Sequence, residues 1–173
     1  MLYKIIESFS PNDGDNWISY CKWRGIWFEC FDSIDEIMRP NVFDEIDDED
    51  WTRIFTDGNA VFNFFTDFDY ALRKFRKGGR GNLVGVCFDG HDESHPGFRG
   101  YDLLDSFNRV SLLTDFGCDS AFAIIDKRLS PRALVLDLEC ANAIRAELLK
   151  ALGDDSHVKD CKVVSIYNFN AAI

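Results

Sequence analysis

The stretch that decides the fold is the pair "CANAIRAELLKAL" (140–152) and "CKVVSIYNF" (161–169), helix material followed at once by strand material. In the first, Cys140, Ile144, Leu148 and Leu152 recur every four residues, and Gly153 supplies a stop. That spacing predicts a helix with one apolar stripe. The second reads as a last strand. Working outward, "SAFAII" (120–125) and "ALVLDL" (133–138) read as strands separated by "DKRLSP". "YDLLDSFNRVSLL" (101–113) reads as a helix, with Leu103, Phe107 and Val110 in register and Gly117 shortly after. "NLVGVCF" (82–88) is a strand of the buried type, and the long polar loop "DGHDESHPGFRG" (89–100) follows it. "TDFDYALRKFRKGG" (66–79) carries both start and stop signals of a helix. Thr66 and Asp69 stand at capping-box spacing and Gly78 ends the run. Phe68, Ala71, Leu72 and Phe75 share one face, and Asp69 and Arg73 form a favourable pair four apart.

Nearer the N-terminus, "TRIFTDGNAVFNFF" (52–65) reads as a hairpin around Asp57-Gly58. Residues 17–31 fit two templates: two strands around Arg24-Gly25, or a short helix capped by Asp15 and then a strand. Aromatic residues fall on both periods, so both stay open. "LYKIIESF" (2–9) reads as a first strand, followed by a turn at "PNDGDN". Strands and helices mix without strict alternation. The expectation is a single α+β domain over 1–173, with a mixed or mostly antiparallel sheet and about three helices.

The totals bound the class. A chain of 173 residues suits one domain with one sizeable core, and 46% hydrophobic residues argue against disorder. Sixteen Phe, four Trp and five Tyr point to an aromatic-rich core. The net charge of −11 argues against nucleic acid or an anionic membrane as a direct ligand, because both attract a basic face. It permits a basic protein partner. No apolar run suggests a signal peptide or a membrane span. The six cysteines (21, 30, 87, 118, 140, 161) form no CxxC and no tight framework, so reduced thiols and a cytoplasmic location are expected.

Catalytic signals are few. "HDESH" places His91 and His95 four apart, the spacing that a zinc-binding HExxH helix uses. Asp stands where the general-base Glu would be, and Gly90, Pro96 and Gly97 bracket the run, so a solvated loop is expected. His91, His95 and Asp89 are the residues that would hold a metal if one were bound. "GGRGNLVG" (78–85) has the glycines of a phosphate cradle, but it follows a helix and precedes a strand, the reverse of the order a dinucleotide site needs. No Ser sits in a GxSxG elbow, and His157 stands alone in a polar loop. An EF-hand starting at Asp44 is excluded, with Glu49 at the sixth position and Phe55 at the twelfth. No catalytic residue, cofactor or metal is assigned, and the expectation is that the protein is not an enzyme.

What the chain does have is asymmetric charge. "DEIDDED" (44–50) puts six carboxylates into seven positions. Over 32–50, Asp32, Asp35, Glu36, Asp44, Glu45, Asp47, Asp48, Glu49 and Asp50 face only Arg39, which gives that segment −8. Five basic residues fall within 73–80: Arg73, Lys74, Arg76, Lys77 and Arg80. Two readings compete. In one, the acidic segment is a solvated face that meets the basic helix end of the same molecule. In the other it docks a basic partner, which relieves self-repulsion and speeds association. On the second reading, Asp35, Glu36, Asp44, Glu45, Asp47, Asp48, Glu49 and Asp50 form the partner-binding surface.

The whole profile is that of a small, strongly acidic, aromatic-rich α+β protein with reduced cysteines and without catalytic motifs. It resembles the immunity proteins of contact-dependent and other polymorphic bacterial toxin systems. The resemblance implies a cytoplasmic inhibitor, monomeric or weakly dimeric, that covers the active site of a basic toxin domain, often a nuclease. Two other classes stay open: an acidic mimic of nucleic acid that occupies a DNA- or RNA-binding protein, and a small metal-dependent enzyme built on His91 and His95.

Overall fold

The structure is a computed structural model that describes residues 1–6, 64–78, 81–105, 111–114 and 123–170. The readings made for 17–31, for the acidic run and for all but the end of the 52–65 hairpin lie outside the described residues. Strands β1 (Leu2–Ile6), β2 (Asn82–Cys87), β3 (Phe98–Leu104) and β4 (Lys162–Asn168) form one antiparallel sheet in the order β1-β2-β4-β3. With helices α1 (Phe68–Gly78) and α2 (Leu138–Leu152), this is the expected α+β architecture.

Each helix forms where its signals stand. α1 begins one residue later than the capping-box spacing proposes. Asp67, not Thr66, is the cap, and its carboxylate accepts the Tyr70 amide at 2.7 Å. A carboxylate at that position also meets the positive end of the helix dipole, an advantage a threonine hydroxyl lacks. α2 is capped in the same way by Asp137, which accepts the Cys140 amide at 2.7 Å.

Both helices cover one face of the sheet. α1 lays Tyr70 and Ala71 against Ile5 and Leu83, and α2 lays Ala141, Ile144 and Leu148 against Tyr101 and Leu103. Each fully buried aliphatic side chain contributes on the order of 1.5–3 kcal/mol. The opposite face is a second apolar layer of Ile6, Val84, Val86, Leu104, Val164 and Ile166, joined by Phe64 and Leu134. Two charged side chains are buried on that face as well. The Lys4 ammonium lies 5.3 Å from the centre of the Phe64 ring, and Asp102 accepts the Leu103 amide and the Ser111 hydroxyl at 2.8 and 2.5 Å.

Three expectations are corrected. Residues 101–104 are not the start of a helix; they complete β3, pairing from Tyr101↔Ser165 to Leu104↔Lys162. Tyr101 and Leu103 face α2 while Leu104 faces the other core layer, so burial on both faces erased the period of two on which a strand reading depends. Of 133–138, Val135 makes an isolated bridge to Tyr101, and α2 already begins at Leu138. Residues 123–125 are helical and run into a 3-10 turn, Asp126–Arg128, in place of the second half of the strand read at 120–125.

The order of strands has one consequence for function. β2 and β3 both run antiparallel to β4, which lies between them, so they are parallel to each other. Residues 88–97 must therefore cross over β4, and the stretch that contains both loop histidines is brought onto the sheet.

Candidate functional site

The crossover is shaped by its own residues. Gly90 adopts φ 70°, and a β-carbon on Gly97 would come within 2.8 Å of the Asn168 carbonyl oxygen. Asp92 organises the bend: its carboxylate accepts the Ser94 amide at 3.0 Å and the Ser94 hydroxyl at 2.6 Å. The Gly97 amide then donates to His95 Nδ1 at 3.0 Å, and the Phe98 amide donates to the His95 carbonyl at 2.9 Å as β3 begins. The loop reading of "HDESH" holds, and the expected loop of 89–100 gives up its last three residues to β3.

Beneath the crossover, the sheet is polar where the rest of that face is apolar. Ser165 and Tyr167 of β4 and Tyr101 of β3 bring three hydroxyl groups to it, and all three residues are fully buried. Each hydroxyl meets a loop group. Ser165 Oγ shares a hydrogen bond with His91 Nδ1. Tyr167 Oη accepts the Asp92 amide at 2.9 Å, and Tyr101 Oη donates to the Glu93 carboxylate at 2.5 Å. On β2, the Cys87 thiol donates to the Asp89 carbonyl at 2.6 Å. Buried hydroxyls without partners are costly, so these bonds explain both why the loop lies down on the sheet and why polar residues are tolerated there.

The electrostatics follow from the contacts. Burial, and then the hydrogen bond to Glu93 and its charge, push the Tyr101 phenol well above its ordinary range. The Ser94 hydroxyl and amide hold the Asp92 carboxyl below the usual range, with the nearby His95 adding to the effect.

His91 and His95 turn to different partners. His91 packs edge-on against Tyr101 at 5.3 Å, while His95 packs against Tyr167 at 5.3 Å and Phe169 at 5.6 Å. Among the described residues, no three His, Cys, Asp or Glu side chains converge as metal ligands would. The Ser165–His91 pair has the residue types of a nucleophile and its base, yet Ser165 is fully enclosed, so its hydroxyl serves as an anchor for the loop. What this arrangement can do is present the outer edge of the loop, with Asp92, Glu93 and Ser94 exposed, in one held conformation.

Sequence reasoning had no way to find this polar set, because Tyr101 lies more than sixty residues from Ser165 and Tyr167 and reads as part of a helix, while the other two read as ordinary strand residues. It also missed the partner of His157. That residue is not alone: His157 Nδ1 meets the Asp105 carboxylate at 3.0 Å, and Asp105 is buried.

The expected partner-binding residues Asp35, Glu36, Asp44, Glu45, Asp47, Asp48, Glu49 and Asp50 lie outside the described residues. Their proposed counterpart within the molecule is only partly in view. On α1, Arg73, Arg76 and Lys77 are exposed, and Arg73 and Lys74 lie over the Tyr70 ring at 5.3 and 5.7 Å. Among the described residues, no helix is long and apolar enough to cross a membrane.

Compared with protein-family models, with curated proteins and with solved structures, the chain matches none.

Proposed function

We propose that the protein is an acidic inhibitor of the immunity type, which binds a basic toxin domain, a nuclease by preference, and occludes its active site. The observation that carries this reading is where the charge sits. Residues 7–63 hold fourteen acidic and four basic side chains, net −10, while the rest of the chain is almost balanced at −1. Like charge concentrated in this way works against a compact state unless something offsets it, and it steers a basic partner toward that segment. Support also comes from the buried state of Ser165, which fits an anchoring role better than a catalytic one. On this reading the protein acts in the cytoplasm as a monomer or weak dimer, without a cofactor.

The experiment is co-expression with a basic toxin domain encoded beside it, followed by stopped-flow association at low and high ionic strength. Rescue of growth, with an association rate that falls steeply as salt rises, is the expected result. Charges further apart than roughly 8 Å are screened at physiological ionic strength, which is why the rate and not only the affinity should respond. A rate indifferent to salt would overturn the steering argument. Stoichiometric zinc that disappears on changing His91 and His95 to Ala would replace the whole reading with the enzyme one.

A further inference from the structure

Between α1 and the crossover, the sheet face carries a run of aromatic rings that are neither fully buried nor fully exposed. Tyr3, Phe68, His95 and Phe169 are all half-buried. Their rings form a chain of contacts: Phe68 to Tyr3 at 5.3 Å, Phe68 to Phe169 at 5.2 Å, Tyr3 to Phe169 at 6.0 Å and Phe169 to His95 at 5.6 Å. Gly85 makes room at the centre. A β-carbon there would lie 2.7 Å from both Met1 Sδ and the Phe169 ring, so these two side chains settle onto bare backbone. Met1 is 47% exposed above it.

Carboxylates stand at both ends of this run. Asp67 is close enough to Tyr3 for its charge to add to the effect of burial in raising that phenol. Asp92 is exposed at the other end, within electrostatic reach of His95. Aromatic faces flanked by carboxylates are the chemistry that receives a guanidinium: the rings offer negative π-faces, and the carboxylates accept its hydrogen bonds.

We propose that the surface of Met1, Tyr3, Phe68, His95 and Phe169, flanked by Asp67 and Asp92, seats an arginine-bearing segment of the basic partner protein. The proposal rests on the reading of the protein as a binder of a basic partner. It adds a specific seat, built from residues other than the acidic run at 44–50. Charge complementarity chooses the occupant. A second copy of this acidic chain would bring further repulsion, and an anionic ligand would meet Asp67 and Asp92.

The test uses the full chain and two blocked peptides, acetyl-Gly-Arg-Gly-Arg-Gly-amide and its citrulline counterpart, which keeps the shape and loses the charge. Binding is followed by NMR shifts of the Tyr3, Phe68, His95 and Phe169 resonances. The arginine peptide should move these resonances in the parent protein, while the citrulline peptide leaves them in place. Phe169→Ala and Asp92→Asn should each weaken the arginine peptide about two- to fivefold. Asp92→Asn keeps an oxygen to accept the Ser94 amide, so it remains informative if Phe169→Ala fails to fold. Shifts confined to resonances outside the surface, equal shifts from the citrulline peptide, or full affinity in Asp92→Asn would overturn the seat. None of those outcomes touches the salt dependence of toxin binding, so the failure of this inference and the failure of the broader reading are distinguishable.

Discussion

Residues 7–63 and the rest of the chain use charge and aromatic side chains in opposite ways. The first region carries net −10 and all four tryptophans (Trp17, Trp23, Trp27 and Trp51). The second carries sixteen acidic and fifteen basic residues and four of the five tyrosines (Tyr3, Tyr70, Tyr101 and Tyr167). Among the described residues of the second region, several charges are placed to be satisfied. Arg128 and Glu147 form a two-pronged pair at 2.8 and 3.0 Å, Asp67 and Asp137 cap helices, and Asp102 accepts two hydrogen bonds in the interior. The first region has too few basic residues to balance itself. On the proposed function, stability and partner choice are separable: changes in the sheet and helices should move the first quantity, and changes in the acidic run the second.

The largest expected effect tests that separation directly. Changing Asp44, Asp47, Asp48 and Asp50 to Asn should weaken partner binding by roughly 2–5 kcal/mol for each carboxylate that pairs with a desolvated Lys or Arg. The melting temperature should hold or rise slightly, since surface changes usually stay within about half a kcal/mol each. A melting temperature that drops while binding stays intact would break the comparison and return the acidic run to a role within the fold, opposite Arg73, Lys74, Arg76 and Lys77.

Next in size is the converse experiment. Leu148 is buried between α2 and the sheet, so Leu148→Ala should cost about 2–5 kcal/mol in urea unfolding. The salt dependence of the association rate should not change. If that slope changes with Leu148, stability and steering are coupled and the two regions are not independent.

Smaller still is the bond under the crossover. Tyr101→Phe removes the donor to Glu93 and should cost about 1 kcal/mol, the low end for a hydrogen bond whose partner is exposed and regains water. The sign of its pH dependence is fixed by the raised phenol. The folded state holds that proton more tightly than the unfolded one, so the contribution is fully present below about pH 10, the ordinary tyrosine value, and is lost as pH rises toward the folded value. Alkaline unfolding followed by circular dichroism should therefore be steeper in the parent than in Tyr101→Phe, and equal slopes would sink the assignment.

The smallest effect concerns Asp92. Its carboxyl is held low, so the contribution is present above about pH 4 and lost as pH falls through the folded value. Because the group is exposed, the change in stability should be slight and the sharper readout is the carboxyl titration by NMR. Ser94→Ala should return the midpoint toward the ordinary carboxylate value. An unmoved midpoint would show that the Ser94 bonds do not organise the loop.

Much of this architecture was readable from the chain itself. β1, β2, β4, α1 and α2 carry their signals locally: an apolar stripe every four residues, a stop glycine, a short apolar run. The loop character of "HDESH" was readable for the same reason, since Gly90, Pro96 and Gly97 act on their own backbone. The uneven charge needs no fold at all to be counted. Tertiary structure alone decided that residues 101–104 are strand. Their spacing suits a helix, but β4 offered unpaired backbone groups along its edge and both faces of β3 could be buried, and those two gains outrank local preference. The same pairing set the order β1-β2-β4-β3 and drew residues 88–97 across β4. Only then did Ser165, Tyr167 and Tyr101 acquire His91, Asp92 and Glu93 as partners, and Asp105 acquire His157. Such contacts join residues far apart in sequence, and their energy comes from burial that exists only once the sheet has closed over them.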